Sequence, residues 1–326
     1  MALIDGFKAT TQILDIEEWK RSTGIELHTS INTVSGEQIK TRRRVYDNGT
    51  TSFKYWSRYG TYNLGVIESL TNGKSLWRLN LRGSLYTNSG NWLSYDWLKM
   101  QQQLIKIRDD LKIPLDQWHI TNFEYFTDIP YFEPAIDLLS NSVMLYQNKV
   151  FTPFDPDRQG RVIGYVRNGV KHAIKTYDKA LQKGLCQPLL RIEDHVKKMQ
   201  YMAGHEVSTL QEFTNPWILF GLRDKLVKLW DQTSLFDTRI ILKAYGSDKT
   251  KLIEYALPSY WDKAKLTENG KRYHTSKLNE LKLKYDDTAH SRIRQLIFQS
   301  NNVIVPIVIK PENTQCYANA LQSHFK

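Results

Sequence analysis

Three side chains that can bind a metal ion stand near the middle of three segments with strand-like composition: Glu124, His172 and Glu193. Two carboxylates and one imidazole suit a divalent cation such as Mg²⁺ or Mn²⁺, because hard oxygen donors dominate and open positions remain for phosphate and water. A cation held there would polarise a scissile phosphate. The sequence therefore predicts a divalent-metal site built by adjacent strands.

A candidate nucleophile follows His172 in the segment Lys175-Thr-Tyr-Asp-Lys179. The Tyr177 phenol can attack phosphorus and form a phosphotyrosine, provided that its oxygen is activated and the charge developing on the phosphate is neutralised. Lys179 could stabilise the phenolate or contact the phosphate. A phosphotyrosine keeps the energy of the cut bond, so a strand cut in this way can be rejoined without ATP.

Tyr165 is the second candidate nucleophile, because strand parity counts against Tyr177. Residues 172 and 177 differ by an odd number and point to opposite faces of a strand, unless a bulge or the strand end intervenes. With Asn168-Gly169 as a two-residue turn, Tyr165 would pair directly with His172 on the same face. Both tyrosines therefore stay candidates at this point.

Hairpins and helices must position these side chains. Asn48-Gly49 and Asn72-Gly73 separate segments rich in Thr, Tyr, Val and Leu, which predicts two hairpins before residue 90. The later pattern predicts, in chain order, an amphipathic helix at 94–111, a strand at 118–126, a helix at 134–146, a hairpin of 161–167 with 170–177, a strand at 187–197 and a helix at 216–230.

These elements predict an α+β protein with an antiparallel sheet and packed helices. We expect a sheet-rich domain over residues 1–200 and a mainly helical, DNA-contacting or accessory region over residues 201–326. The basic stretch 263–284 fits either a solvated helical face or a DNA contact.

The composition favours an anionic partner. Lys and Arg outnumber Asp and Glu by 45 to 34, for a net charge of +11, so nucleic acid leads the possible partners. The chain also has 18 Tyr, 12 Phe and 9 Trp, and rings set among basic residues, as in 53–59, can stack on unpaired bases or fill a sheet core.

Several protein classes are disfavoured. Cys186 and Cys316 are too few for a disulfide framework or a zinc site. The sequence shows no apolar run long enough to span a membrane and no signal peptide, so we expect a cytosolic protein. No Gly-x-x-x-x-Gly-Lys-Ser/Thr loop is found, which argues against a helicase.

The order of these motifs resembles that of the gene II protein family, the replication initiators of filamentous phages. The shared features are a strand with an acid, a hairpin with His and Tyr-x-Lys, and then Leu-Leu-Arg-Ile-Glu, over about residues 115–205. Plasmid initiators with Tyr-Asp-Lys after a hairpin are also similar. The sequence differs in having Asn122-Phe-Glu where that family has Arg-Ile-Asp, and it lacks the His-hydrophobic-His pair of many rolling-circle enzymes.

The resemblance implies a Rep-type nuclease domain that starts rolling-circle replication. Such a protein nicks and joins origin DNA, single-stranded or supercoiled, through a covalent 5′-phosphotyrosine and with a divalent metal. The implied nucleophile is Tyr177 in preference to Tyr165, and the implied metal ligands are Glu124, His172 and Glu193.

The resemblance also implies a setting and partners, while other protein classes stay open. The implied setting is the cytosol of a bacterial host, and the implied partners are host helicase, polymerase and single-strand-binding protein. One alternative is a non-catalytic DNA-binding protein or repressor, which would need neither metal nor tyrosine. Another is a relaxase or transposase, which would use the same chemistry on a different substrate.

Overall fold

The chain folds as an α+β protein with a large antiparallel sheet and helices. The computed structural model describes residues 2–28, 44–45, 51–59, 62–71, 74–85, 97–154, 162–261 and 267–299. Its strands are β1 (Leu3–Ile13), β2 (Arg44–Val45), β3 (Thr51–Tyr59), β4 (Tyr62–Thr71), β5 (Lys74–Ser84), β6 (His119–Pro130), β7 (Ser142–Tyr146), β8 (Lys149–Val150), β9 (Thr152–Phe154), β10 (Gly164–Asn168), β11 (His172–Asp178), β12 (Leu189–Val196) and β13 (Thr233–Asp237). Its helices are α1 (Ile16–Thr23), α2 (Trp97–Leu111), α3 (Ala135–Ser140), α4 (Lys179–Lys183), α5 (Pro216–Asp231), α6 (Gly246–Tyr255), α7 (Pro258–Trp261), α8 (Glu268–Lys284) and α9 (Ala289–Gln299).

The first of two compact units comprises residues 3–125 and 196–219. Its strands follow the order β2-β3-β4-β5-β1-β6, and the β3–β4, β4–β5 and β5–β1 pairs are antiparallel. Alternation is clear in β5, where Leu79 and Leu81 are fully buried while Arg78 and Arg82 are exposed. One face of this sheet therefore belongs to the core and the other to solvent.

Helix α2 covers this unit with the apolar stripe that its sequence predicts. Its buried residues recur at the helical spacing Met100, Leu104, Ile107 and Leu111. The Trp19 indole of α1 donates a 2.9 Å hydrogen bond to the Leu111 carbonyl, which ties the two helices together. The predicted helix at 94–111 is confirmed over residues 97–111, and 94–96 lie outside the described residues.

The two predicted N-terminal hairpins are confirmed by strand pairing. Val45 pairs with Thr51 across the Asn48-Gly49 segment, and Thr71 pairs with Lys74 across Asn72-Gly73. The turn residues themselves lie outside the described residues. A further hairpin, β3–β4, was not predicted.

The second unit comprises the described residues within 1–2, 126–195 and 220–326. Its part of the large sheet follows the order β12-β11-β10-β9, and a smaller sheet follows the order β13-β7-β8. The core beside the smaller sheet is formed by aliphatic and aromatic residues that include Leu145, Phe236, Leu252, Tyr255, Trp261 and Leu278.

The helix predicted at 134–146 is wrong in its second half. Helix α3 ends at Ser140, and residues 142–146 form β7, which pairs with β13 from Ser142↔Asp237 to Tyr146↔Thr233. Residues 143–146 are all buried, so this short apolar run has no periodicity that separates a strand from a helix. Pairing with β13, a strand that was not predicted, decides the conformation.

Further along the chain, the predicted helix at 216–230 is confirmed as α5, and α8 covers most of the basic stretch 263–284. The predicted domain boundary near residue 200 stays a prediction. Among the described residues, no helix has both the length and the apolar composition that a membrane span requires.

Candidate active site at Tyr177

The β10–β11 hairpin positions both candidate nucleophiles, and its register differs from the predicted one. Gly164 pairs with Tyr177 and Tyr165 pairs with Thr176, so the prediction that Tyr165 lies directly opposite His172 is wrong. The Gly169 amide donates a 2.9 Å hydrogen bond to the His172 carbonyl, which moves the turn beyond Asn168-Gly169.

A close contact at the other end of the hairpin explains this register. A Cβ atom at residue 164 would lie 2.2 Å from the Tyr177 Cβ and 2.4 Å from the Thr176 carbonyl oxygen. Only glycine fits such an approach of two strands. Gly164 therefore fixes the pairing more strongly than the local turn preference of Asn-Gly does.

Alternation along β11 places His172 and Tyr177 on opposite faces, as their odd spacing predicts. Directly paired residues share a face, so Tyr165 lies on the face of Thr176 and His172. The two tyrosines of this hairpin therefore have different surroundings.

On its face, Tyr177 meets a buried carboxylate. The Tyr177 hydroxyl donates a 3.1 Å hydrogen bond to Oε2 of Glu193 on β12. Lys175 Nζ lies 2.5 Å from Oε1 of the same carboxylate. Tyr177 is 4% exposed and Glu193 is 2% exposed, so water screens this triad poorly.

Two further groups lie against the Tyr177 ring. The Phe154 ring centroid is 5.6 Å away, and Lys179 Nζ lies 5.6 Å from the Tyr177 ring centroid. Lys179 is itself buried and donates a 2.8 Å hydrogen bond to Gln182. A phenolate at Tyr177 would therefore form close to two ammonium groups, those of Lys175 and Lys179.

Asp178 holds Lys179 at the start of α4. Its carboxylate accepts hydrogen bonds from the Leu181 amide at 2.7 Å and from the Ile136 amide at 3.0 Å. Burial raises the pKa of Asp178, while these backbone hydrogen bonds oppose the shift. This cap fixes the direction in which the chain continues after Tyr177.

A second ion pair, formed by a fully buried arginine, lies on the Glu193 face of β12. The Arg191 guanidinium makes two 2.6 Å hydrogen bonds to Asp128, and it stacks 3.5 Å from the Phe126 ring centroid. Arg191 is two residues from Glu193, so both side chains leave the strand on the same side. A paired and stacked arginine here restrains the strand that carries Glu193.

His172 has a different carboxylate partner. Its Nδ1 lies 2.9 Å from Oδ1 of Asp194, a fully buried residue, and the Tyr146 ring meets the imidazole edge-on at 5.9 Å. Glu193 and Asp194 are consecutive strand residues and point to opposite faces.

Tyr165 lines an open pocket of about 580 Å³ together with Ser140, Ser142 and Met144. No carboxylate is found among the described residues that line this pocket. Burial raises the pKa of Tyr165, which disfavours the phenolate that an attack would need.

Glu124 belongs to the first unit, where its Oε2 would lie 3.3 Å from a Cβ atom at Gly6. His172 and Glu193 do not fit a shared cation, because they face opposite sides and each has its own partner. Within the described ranges, no group of three or more His, Cys, Asp or Glu side chains could hold a metal ion. His172 and Glu193 are thus not arranged to share a cation in this structure, and the requirement for a divalent metal stays a prediction.

Sequence reasoning did not identify Lys175, Asp194, Arg191 or Asp128 as parts of the arrangement. The period of two along β11 and β12 was the available signal, because it aligns Lys175 with Tyr177 and Arg191 with Glu193. In comparisons with known proteins, no protein-family model, curated protein or solved structure matches the chain.

Proposed function

We propose that this protein nicks and rejoins DNA through Tyr177, as an initiator of rolling-circle replication. The observation that carries the proposal is the hydrogen bond from the Tyr177 hydroxyl to the buried Glu193 carboxylate, which is itself paired with Lys175. A nucleophile with a base within hydrogen-bonding reach is the arrangement that covalent catalysis requires. The order of the motifs and the net charge of +11 supply the substrate class, DNA.

The reaction can be written with side chains of this chain. The Tyr177 proton passes to Glu193 as the phenolic oxygen attacks phosphorus. The bond from phosphorus to the 3′ oxygen breaks, and the 5′ phosphate stays on the tyrosine. The 3′ oxygen takes a proton from water, and the proton that Glu193 accepted neutralises the resulting hydroxide. Joining is the reverse, with a 3′ hydroxyl attacking the phosphotyrosine and Tyr177 recovering a proton.

The two lysines would favour the charged species along this path. When Glu193 accepts a proton, the Lys175 ammonium loses its balancing charge and becomes available to the phosphate oxygens. Lys179, 5.6 Å from the Tyr177 ring centroid, favours the phenolate electrostatically. Both effects are strong in a buried setting, where the effective dielectric constant is low.

Access to the phenol requires local movement, because Tyr177 is 4% exposed. Phe154 covers its ring from β9, a three-residue strand at the end of the strand order. We expect DNA binding to displace this short strand before attack.

The remaining parts of the proposal follow the resemblance. They are a Rep-type nuclease domain, a requirement for Mg²⁺ or Mn²⁺, host helicase, polymerase and single-strand-binding protein as partners, and a bacterial cytosolic location. The proton transfer and the attack are written for side chains alone, because His172 and Glu193 face opposite sides of the sheet and do not form a shared cation site.

The test is incubation of the protein with 5′- or 3′-labelled single-stranded fragments of the DNA element that carries its gene, followed by denaturing gels. The proposal expects a free 3′ end and a 5′ end that migrates with protein. Repeating the reaction with EDTA tests the requirement for a divalent cation. Loss of nicking would support this requirement, and unchanged nicking would exclude it. Tight DNA binding with no covalent product would instead favour the non-catalytic DNA-binding protein.

A further inference from the structure

The exposed cations on the solvent face of the first unit's sheet include Lys8 on β1, Lys54 on β3, and Arg78 and Arg82 on β5. Strand register places them on one face. Lys8 pairs directly with Arg82, and the chain of pairs Lys54↔Ile67 and Ile67↔Arg78 joins the other two. Directly paired side chains lie about 5 Å apart, and positions i and i+4 about 13 Å apart.

The positions between these cations are neutral. They are occupied by Thr10, Gln12, Asn63, Ile67, Ser69 and Asn80. Among the outward side chains of β1, β3, β4 and β5 that the structure describes, none is a carboxylate.

Two described carboxylates lie at the borders of this cationic face. Glu124 lies over Gly6, and Asp116 shares an open pocket of about 480 Å³ with Arg78 and Gln12. Within the part of the chain that the structure describes, none of these four cations forms an ion pair. The sheet holds the cations at fixed spacing, and no carboxylate of the described residues has to be displaced from them.

We propose that this cationic face, defined by Lys8, Lys54, Arg78 and Arg82, binds the phosphate backbone of DNA. The proposal rests on the proposed function for the identity of the polyanion. Cations without protein partners release condensed counterions from DNA when they bind, and no ion pair has to be broken first. Neutral amide and hydroxyl groups between them add hydrogen-bond donors to phosphate and sugar.

The experiment measures binding without cleavage, so a failure of the nicking chemistry does not affect it. The full chain carrying Tyr177→Phe is titrated with fluorescent single-stranded and duplex 30-mers across a salt series. The test variant adds Lys8→Gln, Arg78→Gln and Arg82→Gln. The matched control adds Lys251→Gln, Lys277→Gln and Lys284→Gln, so it also loses three charges. Each of these lysines is paired with a carboxylate, that of Glu254, Glu280 or Asp248.

We expect the test variant to bind at least about tenfold more weakly and to lower the slope of log K against log salt by about 2, while the control changes neither. The form of DNA with the larger change is the one that this face binds. A test variant with the affinity and salt slope of its parent would overturn the proposal, as would an equal loss in the control.

A charge-conserving variant, with Arg78→Lys and Arg82→Lys, separates binding from folding. It should keep the salt slope of the parent if the face acts through charge. A slope that falls as far as in the glutamine variant would contradict that assignment.

Discussion

The two faces of the β10–β11 hairpin present one tyrosine each, and only one of these has the partners of a nucleophile. Tyr177 donates a hydrogen bond to Glu193, with Lys175 on the same carboxylate and Lys179 beside its ring. Tyr165 lies in a pocket lined by small polar and apolar side chains, and burial raises its pKa. The difference comes from strand parity, which decides which side chains of the adjacent elements each tyrosine meets.

The same alternation divides Glu193 from Asp194. Glu193 accepts the hydrogen bond from Tyr177 and Asp194 pairs with His172, although the two acids are consecutive in sequence. A motif in which acid, histidine and tyrosine are close in sequence is therefore not evidence that they share a site. The comparison of these two faces yields four predictions.

The largest effect is expected for Tyr177→Phe. The change removes the attacking oxygen and keeps the ring that packs against Phe154, so we expect strand joining to fall by at least about 10³-fold. The measurement is transfer of a labelled strand to an acceptor oligonucleotide. DNA affinity and the unfolding midpoint should stay near those of the parent, and joining at more than a tenth of the parental rate would remove Tyr177 from the mechanism.

Glu193→Gln should have the next largest effect. The amide cannot accept the phenol proton as a base, so we expect nicking to slow by about 10²-fold or more. Asp194→Asn is the matched variant on the opposite face and should cause a much smaller loss. Single-turnover nicking rates of the two variants are compared. A larger loss for the Asp194 variant would contradict the assignment of the base to Glu193.

Lys175→Met is expected to act through Glu193. Removing the ammonium leaves a buried carboxylate without its counter-charge, which should lower the free energy of unfolding by about 3 kcal/mol. It also raises the pKa of Glu193, so the acidic limb of the pH–rate profile should move to higher pH. Urea unfolding and nicking rates between pH 5 and 9 would show both shifts, and an unchanged profile would exclude Lys175 from the site.

The smallest effect is expected for Tyr165→Phe. The described residues that line the Tyr165 pocket include no carboxylate, so joining should stay within about twofold of the parental rate and stability within about 1 kcal/mol. A loss comparable to that of Tyr177→Phe, in a folded protein, would show that the two faces had been assigned the wrong way round.

Much of this fold follows from local sequence pattern, whereas the site depends on register. Asn-Gly signals lie between the strands of the β2–β3 and β4–β5 hairpins, and α2 and α5 have helical spacing, so these elements are predictable. The strand β7 is not, because its four buried residues 143–146 have no period and only pairing with β13 fixes them. Long-range pairing of this kind is not encoded in a short window.

The hairpin that carries the site shows the same limit. Asn168-Gly169 is a strong local turn signal, yet the close approach of Gly164 and Tyr177 moves the turn and pairs Tyr165 with Thr176. The odd spacing of His172 and Tyr177 correctly predicted that they lie on opposite faces of the strand. The partners Lys175, Asp194 and Arg191 were not identified, since they depend on which residue of the next strand lies beside each one.

The most direct measurement is identification of the residue that carries DNA after the nicking reaction. The adduct would be digested with nuclease and trypsin and analysed by mass spectrometry, where residues 176–179 and 162–167 form separate tryptic peptides that contain Tyr177 and Tyr165 respectively. We expect a nucleotide on Tyr177 in peptide 176–179. A nucleotide on Tyr165, or on any other residue, would contradict the assignment of the nucleophile to the Glu193 face.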